Sequence, residues 1–136
     1  MDHVKPLFPL NYTRILLPVD CTPASRQAVR NAARFAMGVT GANITLVAMV
    51  PPTLGDDAAS GRLRADRESH ADAALETGRA ILRQCGIYSH AARQEAPSLA
   101  EAAAREAAMH AYDMIVTGNC EHAPHGGLPV LVLPSA

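Results

Sequence analysis

The sequence predicts an α/β fold: a single-domain, open, parallel five-stranded sheet with helices on both faces, Rossmann-like in arrangement. Two observations carry that expectation. Apolar runs without alternation, the mark of strands buried on both faces, recur at 14–19, 43–50, 113–117 and 129–133. Stretches of helical period separate them, rich in the chain's 26 alanines, which let a helix lie close against a sheet.

The elements follow in order. Residues 1–12, with Pro6 and Pro9, read as a loose lead-in, and Arg14-Ile-Leu-Leu-Pro-Val19 as the first strand, ended by Asp20. Thr22-Pro23 is a helix start, a capping hydroxyl followed by proline in the first turn. The helix over 24–37 places Ala28, Val29, Ala32, Ala33, Ala36 and Met37 on one face and Arg26, Arg30 and Arg34 on another. Gly38 and Gly41 stop it. Asn43–Val50 is the second strand, closed by Pro51-Pro52, and 53–61 carry loop signals. A second helix is expected from 62 to 85, with Ala71, Leu75, Gly78, Leu82 and Cys85 inward; its polar first half reads as a solvated face. The polar run 87–95 makes a weak third strand at a sheet edge. A third helix from 97 to 111 turns Leu99, Ala103, Ala107 and His110 inward, before strands at 113–117 and 129–133.

Composition narrows function. A chain of 136 residues suits about one domain, and 49% hydrophobic with 18% charged residues excludes disorder. Twelve basic against thirteen acidic residues give a formal charge of -1, which argues against nucleic-acid or anionic-membrane partners. There is no apolar run of membrane-spanning length and no signal-peptide pattern, so a cytoplasmic location is expected. Three irregularly spaced cysteines make no disulfide framework.

Three segments, in order and spacing, resemble the universal stress protein family: ILLPVDCTPAS (15–25), GANITLVAMV (41–50), and AYDMIVTGN (111–119) with PVLVLP (129–134) as the closing strand. One group of that family binds ATP through G-x2-G-x9-G-[ST], running from the fourth strand into a last helix. Here Gly118 matches the first glycine, but Glu121 stands at the second and Leu131 at the third. The chain therefore resembles the group without the pattern. Backbone N–H groups of a glycine turn and helix start are what grip phosphates, so tight ATP binding is not expected. The last crossover helix also looks missing, with only 119–128 between the final strands. A parallel crossover needs about a dozen residues. The last strand is therefore expected to run antiparallel or to pair with a second subunit. The resemblance implies a homodimer through Val130, Leu131 and Val132, and an unpaired apolar edge is itself an aggregation hazard.

Sheets of this kind bind ligands beyond the carboxyl ends of their strands. Pro18, Asp20, Cys21, Val50, Gly118 and Asn119 are the candidate nucleotide-binding residues on that ground and by the resemblance. Asp20 either faces a small polar ligand or caps the first helix. Cys21, near a helix start, is either a redox-sensing thiol or a plain loop residue. Cys120, His122 and His125 carry ligand types suited to zinc or copper, in a spacing that matches no established motif. No P-loop, G-x-G-x-x-G or G-x-S-x-G is present, and no catalytic residues stand out.

The resemblance implies a non-enzymatic, dimeric module of stress response or signalling with no resident cofactor and at most weak ATP or AMP binding. Two other readings stand beside it. One is a nucleotide-binding regulator using the ends of the first and fourth strands; the other is a metal- or redox-responsive protein using the Cys120/His122/His125 loop.

Overall fold

The computed structural model describes residues 13–39, 41–118 and 128–133. The order is β1 (Arg14–Pro18), α1 (Pro23–Met37), β2 (Asn43–Val50), α2 (Ala58–Gln84), β3 (Ser89–Glu95), α3 (Leu99–Met109), β4 (Met114–Thr117) and β5 (Val130–Val132). All five strands are parallel, in the spatial order β3-β2-β1-β4-β5. The chain builds outward from β1 through β2 to β3, then returns to β1's other side for β4 and β5. The reversal falls between β1 and β4, where sheets of this class open a crevice.

Alternation along each strand sorts the core into two layers. Ile15, Leu17, Ile44, Leu46, Ala48 and Val116 face α1 and α2. Leu16, Val47 and Ile115 face α3 through Leu99, Ala102 and Ala103. Helices therefore cover both faces, as expected.

Small residues set the helix–sheet distance. A Cβ on Gly78 of α2 would stand 3.0 Å from Leu46 Cδ1, so the glycine is where α2 meets β2. A glycine inside a helix costs about 1 kcal/mol. Each fully buried leucine or isoleucine contributes roughly 1.5–3 kcal/mol. Ile15, Leu17, Ile44 and Leu46 are all fully buried on this face, so close approach wins. The same holds at Gly118, after β4, where a Cβ would come within 2.8 Å of Ala28 Cβ on α1.

The helices begin on side-chain caps. Thr22, Asp57 and Ser98 accept from the N–H of Ser25, Ser60 and Glu101. The Asp57 cap, after a turn with Gly55 at φ 98, starts α2 four residues before the sequence suggested. The polar first half of α2 is not merely solvated: Arg64 and Arg67 bond the 51–53 segment, and Glu68 and Asp72 pair with Arg93 of β3.

Four expectations are corrected. Met37 is 67% exposed, and Cys85 and His110 are exposed too. Each sits at or just past the end of its helix, where the inward stripe has run out. The fourth concerns β5, which pairs with β4 in parallel, from Ile115–Val130 to Thr117–Val132, rather than antiparallel. β5 begins one residue later than expected, which leaves residues 118–129 for the connection, about the minimum for a parallel crossover. The expected lack of a helix between them falls on 119–127, outside the described residues, as does the 1–12 lead-in.

On the α3 face one polar cluster went unnoticed in the sequence. Glu106 is 3% exposed and accepts from Tyr112 Oη at 2.6 Å and Gln94 Nε2 at 2.9 Å. It ties α3 to the β4 approach and to β3. Burial, and then the bond to Glu106, push the Tyr112 hydroxyl up to about 12.

Two outcomes follow. Gly118→Ala should destabilise by about 1–3 kcal/mol through overpacking, and Ala28→Gly should recover part of that loss. Urea denaturation of both single variants and the double checks this; strictly additive losses would refute the contact. Tyr112 has a folded pKa above its unfolded value near 10, so its contribution is full below about pH 10 and fades as the pH rises toward 12. Stability of the native chain should fall more steeply across that window than that of Tyr112→Phe, measured by denaturant midpoints from pH 9 to 12. Parallel curves would refute the linkage.

Candidate functional site

The carboxyl ends of β1 and β2 open into a cleft of about 410 Å³. Val19, Asp20 and Cys21 form one wall and Ala48, Met49 and Pro51 the next. Arg67, His70, Ala71 and Ala74 of α2 close the side, with Ser98 and Leu99 at the start of α3. The spacing 67, 70, 71, 74 is one stripe of a helix. Its alanines leave the room, while its first two residues bring a guanidinium and an imidazole.

A second cavity, about 260 Å³, lies at the reversal between β1 and β4. It is lined by Pro18, Asp20, Thr22, Ser25, Thr117 and Gly118, among others. Asp20 lines both. A third, about 200 Å³, opens by Val50, Thr53, Arg64, Glu68, Arg93 and Glu95 and shares Pro51 with the first.

Asp20 is held by the turn it begins. Its Oδ1 accepts from the Thr22 N–H at 2.9 Å and the Thr22 hydroxyl at 2.5 Å, while its own N–H donates to Ser25 Oγ. Thr22, not Asp20, caps α1. The carboxylate therefore braces the turn with one oxygen. The other oxygen forms no hydrogen bond among the described residues, so the structural role and a ligand role are compatible. Cys21 is exposed, and its thiol donates to the His70 carbonyl at 3.3 Å, linking the end of β1 to α2. A backbone oxygen does not activate a thiol, so this contact reads as positioning.

The remaining candidates divide. Pro18 and Gly118 line the second cavity beside Asp20. Val50 borders only the third, its side chain packed in the α1/α2 core. Asn119, Cys120, His122 and His125 lie outside the described residues. Among the described residues no group of three His, Cys, Asp or Glu side chains could hold a metal ion.

Arg67 and His70 were not foreseen, though the signal was present. Extending the inward stripe through Ala71 by one turn toward the helix start reaches both. Arg67 Nη1 donates to the Pro52 carbonyl at 2.6 Å and to Thr53 Oγ1 at 3.2 Å, folding the side chain back along the loop that follows β2.

Comparison with known proteins agrees with this architecture. No curated protein matches the chain by sequence. A universal stress protein family member from Burkholderia pseudomallei is 24% identical, with a TM-score of 0.74, over 91% of this chain and 97% of that one. The universal stress protein from Archaeoglobus fulgidus in complex with dAMP is 18% identical, TM-score 0.69, over 90% and 98%. A universal stress protein family protein from Arabidopsis thaliana with AMP bound is 13% identical, TM-score 0.63, over 92% and 93%. At such identities the likeness is one of fold. The sequence model of the universal stress protein family matches residues 11–134, nearly the full length, and the chain belongs to that family.

Proposed function

We propose that this protein is a non-enzymatic module of the cytoplasmic stress response whose cleft takes an adenine nucleotide with one phosphate in preference to ATP. The observation that carries this reading is the 410 Å³ cleft at the strand ends, with an apolar floor and Asp20 at its edge. A nucleoside monophosphate fits such a volume, the base against the alanines and the ribose within reach of Asp20. Two structurally similar proteins hold dAMP and AMP, as their names state. The sequence lacks the second and third glycines of the ATP pattern, so the donors that would hold a β- and γ-phosphate are not encoded. Support for a binding rather than a catalytic role comes from the cleft itself. The Cys21 thiol meets a backbone carbonyl, and among the described residues no nucleophile there is hydrogen-bonded to a base. No helix of the described residues is long and apolar enough to cross a membrane, and Cys21 and Cys85 are free thiols, as suits a reducing compartment.

In a denaturation assay, AMP at 100 times its Kd should add about 2.7 kcal/mol. ATP should bind no tighter than AMP, with or without magnesium. Ala71→Leu, which fills the cleft, should abolish the stabilisation while the far-UV spectrum is kept. Magnesium-ATP binding tenfold tighter than AMP would overturn the reading.

A second reading concerns association and has its own observation: β5 is the last strand in the sheet order, and Val132 is 37% exposed on it. Pairing of β5 with the same strand of a second copy would extend the sheet and cover Val130, Leu131 and Val132. Light scattering should then give a dimer mass for the native chain and a monomer mass for Val132→Lys. A monomeric native chain at tens of micromolar would refute it.

A further inference from the structure

Arg67 is a half-buried guanidinium that forms no ion pair among the described residues. Its bonds go to neutral acceptors: the Pro52 and Pro51 carbonyls and the Thr53 hydroxyl, all from Nη1. Those bonds fix the side chain but do not neutralise it. The Nε–Nη2 edge, a two-donor fork of the geometry that suits phosphate oxygens, has no partner among the described residues. Among the described residues Arg67 is the one arginine or lysine lining the 410 Å³ cleft, and His70 lines it too, three residues further along α2. A charge placed at a cavity, held rigid and left without a counterion favours an anion there.

We propose that Arg67 is the anion anchor of the cleft: it holds the phosphate of a nucleoside monophosphate at the α2 side, away from Gly118, with His70 as a neighbouring donor. The inference rests on the nucleotide reading and adds the direction in which the ligand lies. The phosphate points toward the loop after β2, and the site that a glycine turn after β4 would have supplied is not used. It also explains the preference for one phosphate. The single fork saturates on one group.

Isothermal titration with adenosine and AMP, on the native chain, Arg67→Gln, Arg67→Lys and Arg64→Ala, tests this. The native chain should bind AMP roughly ten- to a hundredfold tighter than adenosine, the range expected of one charge-assisted fork. That advantage should shrink as salt rises. Arg67→Gln should bring AMP down to the affinity of adenosine while leaving adenosine itself unchanged, which also shows that the cleft is intact. Arg67→Lys should keep part of the advantage, as a point charge without the fork. Arg64→Ala, which loses a bond to the same loop through the Thr53 carbonyl but lines only the third cavity, should keep all of it. If Arg67→Gln retains the full AMP advantage, or if adenosine and AMP bind the native chain equally, the anchor is refuted and the nucleotide reading stands. If Arg67→Gln loses adenosine and AMP alike, Arg67 shapes the loop and is no anchor. If neither ligand binds the native chain, both readings fall together.

Discussion

The distance between helix and sheet, set by residues with little or no side chain, governs the rest of this molecule. Gly78 lets α2 reach Leu46, and Gly118 lets the end of β4 reach Ala28. Along the same faces Ala32, Ala33, Ala36, Ala71 and Ala74 are buried. Toward the middle of the sheet those small residues are met by Leu46, Leu17 and Val29, and the space is full. At the carboxyl edge they are met by Ala48 and the turn at Asp20, and the space stays open as the cleft. One compositional choice therefore produces both tight packing and a vacancy. A larger residue at Ala71 or Ala74 would close the site.

Much of the fold was legible in the sequence because its signals are local. Unalternating runs at 14–18 and 43–50 mark strands sandwiched between helices, and Thr22-Pro23 marks a helix start whatever surrounds it. Legibility failed where tertiary geometry decides. Helical periodicity does not announce where a helix stops, so Met37, Cys85 and His110 were carried inward by extrapolation and are exposed. The direction of β5 depends on where the strand begins: a start one residue later brings a connection that barely suffices to the length a parallel crossover needs. Among the residues that line the candidate cavities, Pro18, Asp20, Cys21 and Gly118 are legible because strand ends are recognisable. Arg67 and His70 escape that reading because the first half of α2 is polar nearly all round. A guanidinium that folds back onto carbonyl oxygens fifteen residues away leaves no trace in a hydrophobic pattern.

Electrostatics at the cleft follows from what the backbone has already claimed. Asp20 spends one oxygen on Thr22, and Arg67 spends one nitrogen on Pro52 and Thr53. Both charged groups are thereby fixed before a ligand arrives, which lowers the entropy lost on binding. Their unlike charges stand on different walls, one at the end of β1 and one on α2. A ligand that carries hydroxyl donors at one end and an anion at the other matches that polarity, and a ribose 5′-phosphate has both.

The two edges of the sheet are treated differently, and this bears on how the module could report its state. At β3 the edge is polar: Arg93 reaches back to Glu68 and Asp72 of α2, and its solvent-facing residues include His90 and Glu95. Charges that must be desolvated before another strand can pair are an effective guard. At β5 the strand is Val-Leu-Val, with no charge, and among the described residues its shortness is what limits the open edge. Association therefore has one favourable edge, beside β4, whose far end reaches Thr117 and Gly118 in the second cavity. That cavity shares Asp20 with the 410 Å³ cleft. The route from an occupied cleft to a paired edge is thus short and runs through packed contacts: Asp20 to the α1 turn, Ala28 of α1 to Gly118, and Gly118 to the end of β5 at Leu133. A ligand at Asp20 and a partner at β5, as proposed, would act on the same tightly packed corner, so each would alter the other's affinity by the same factor.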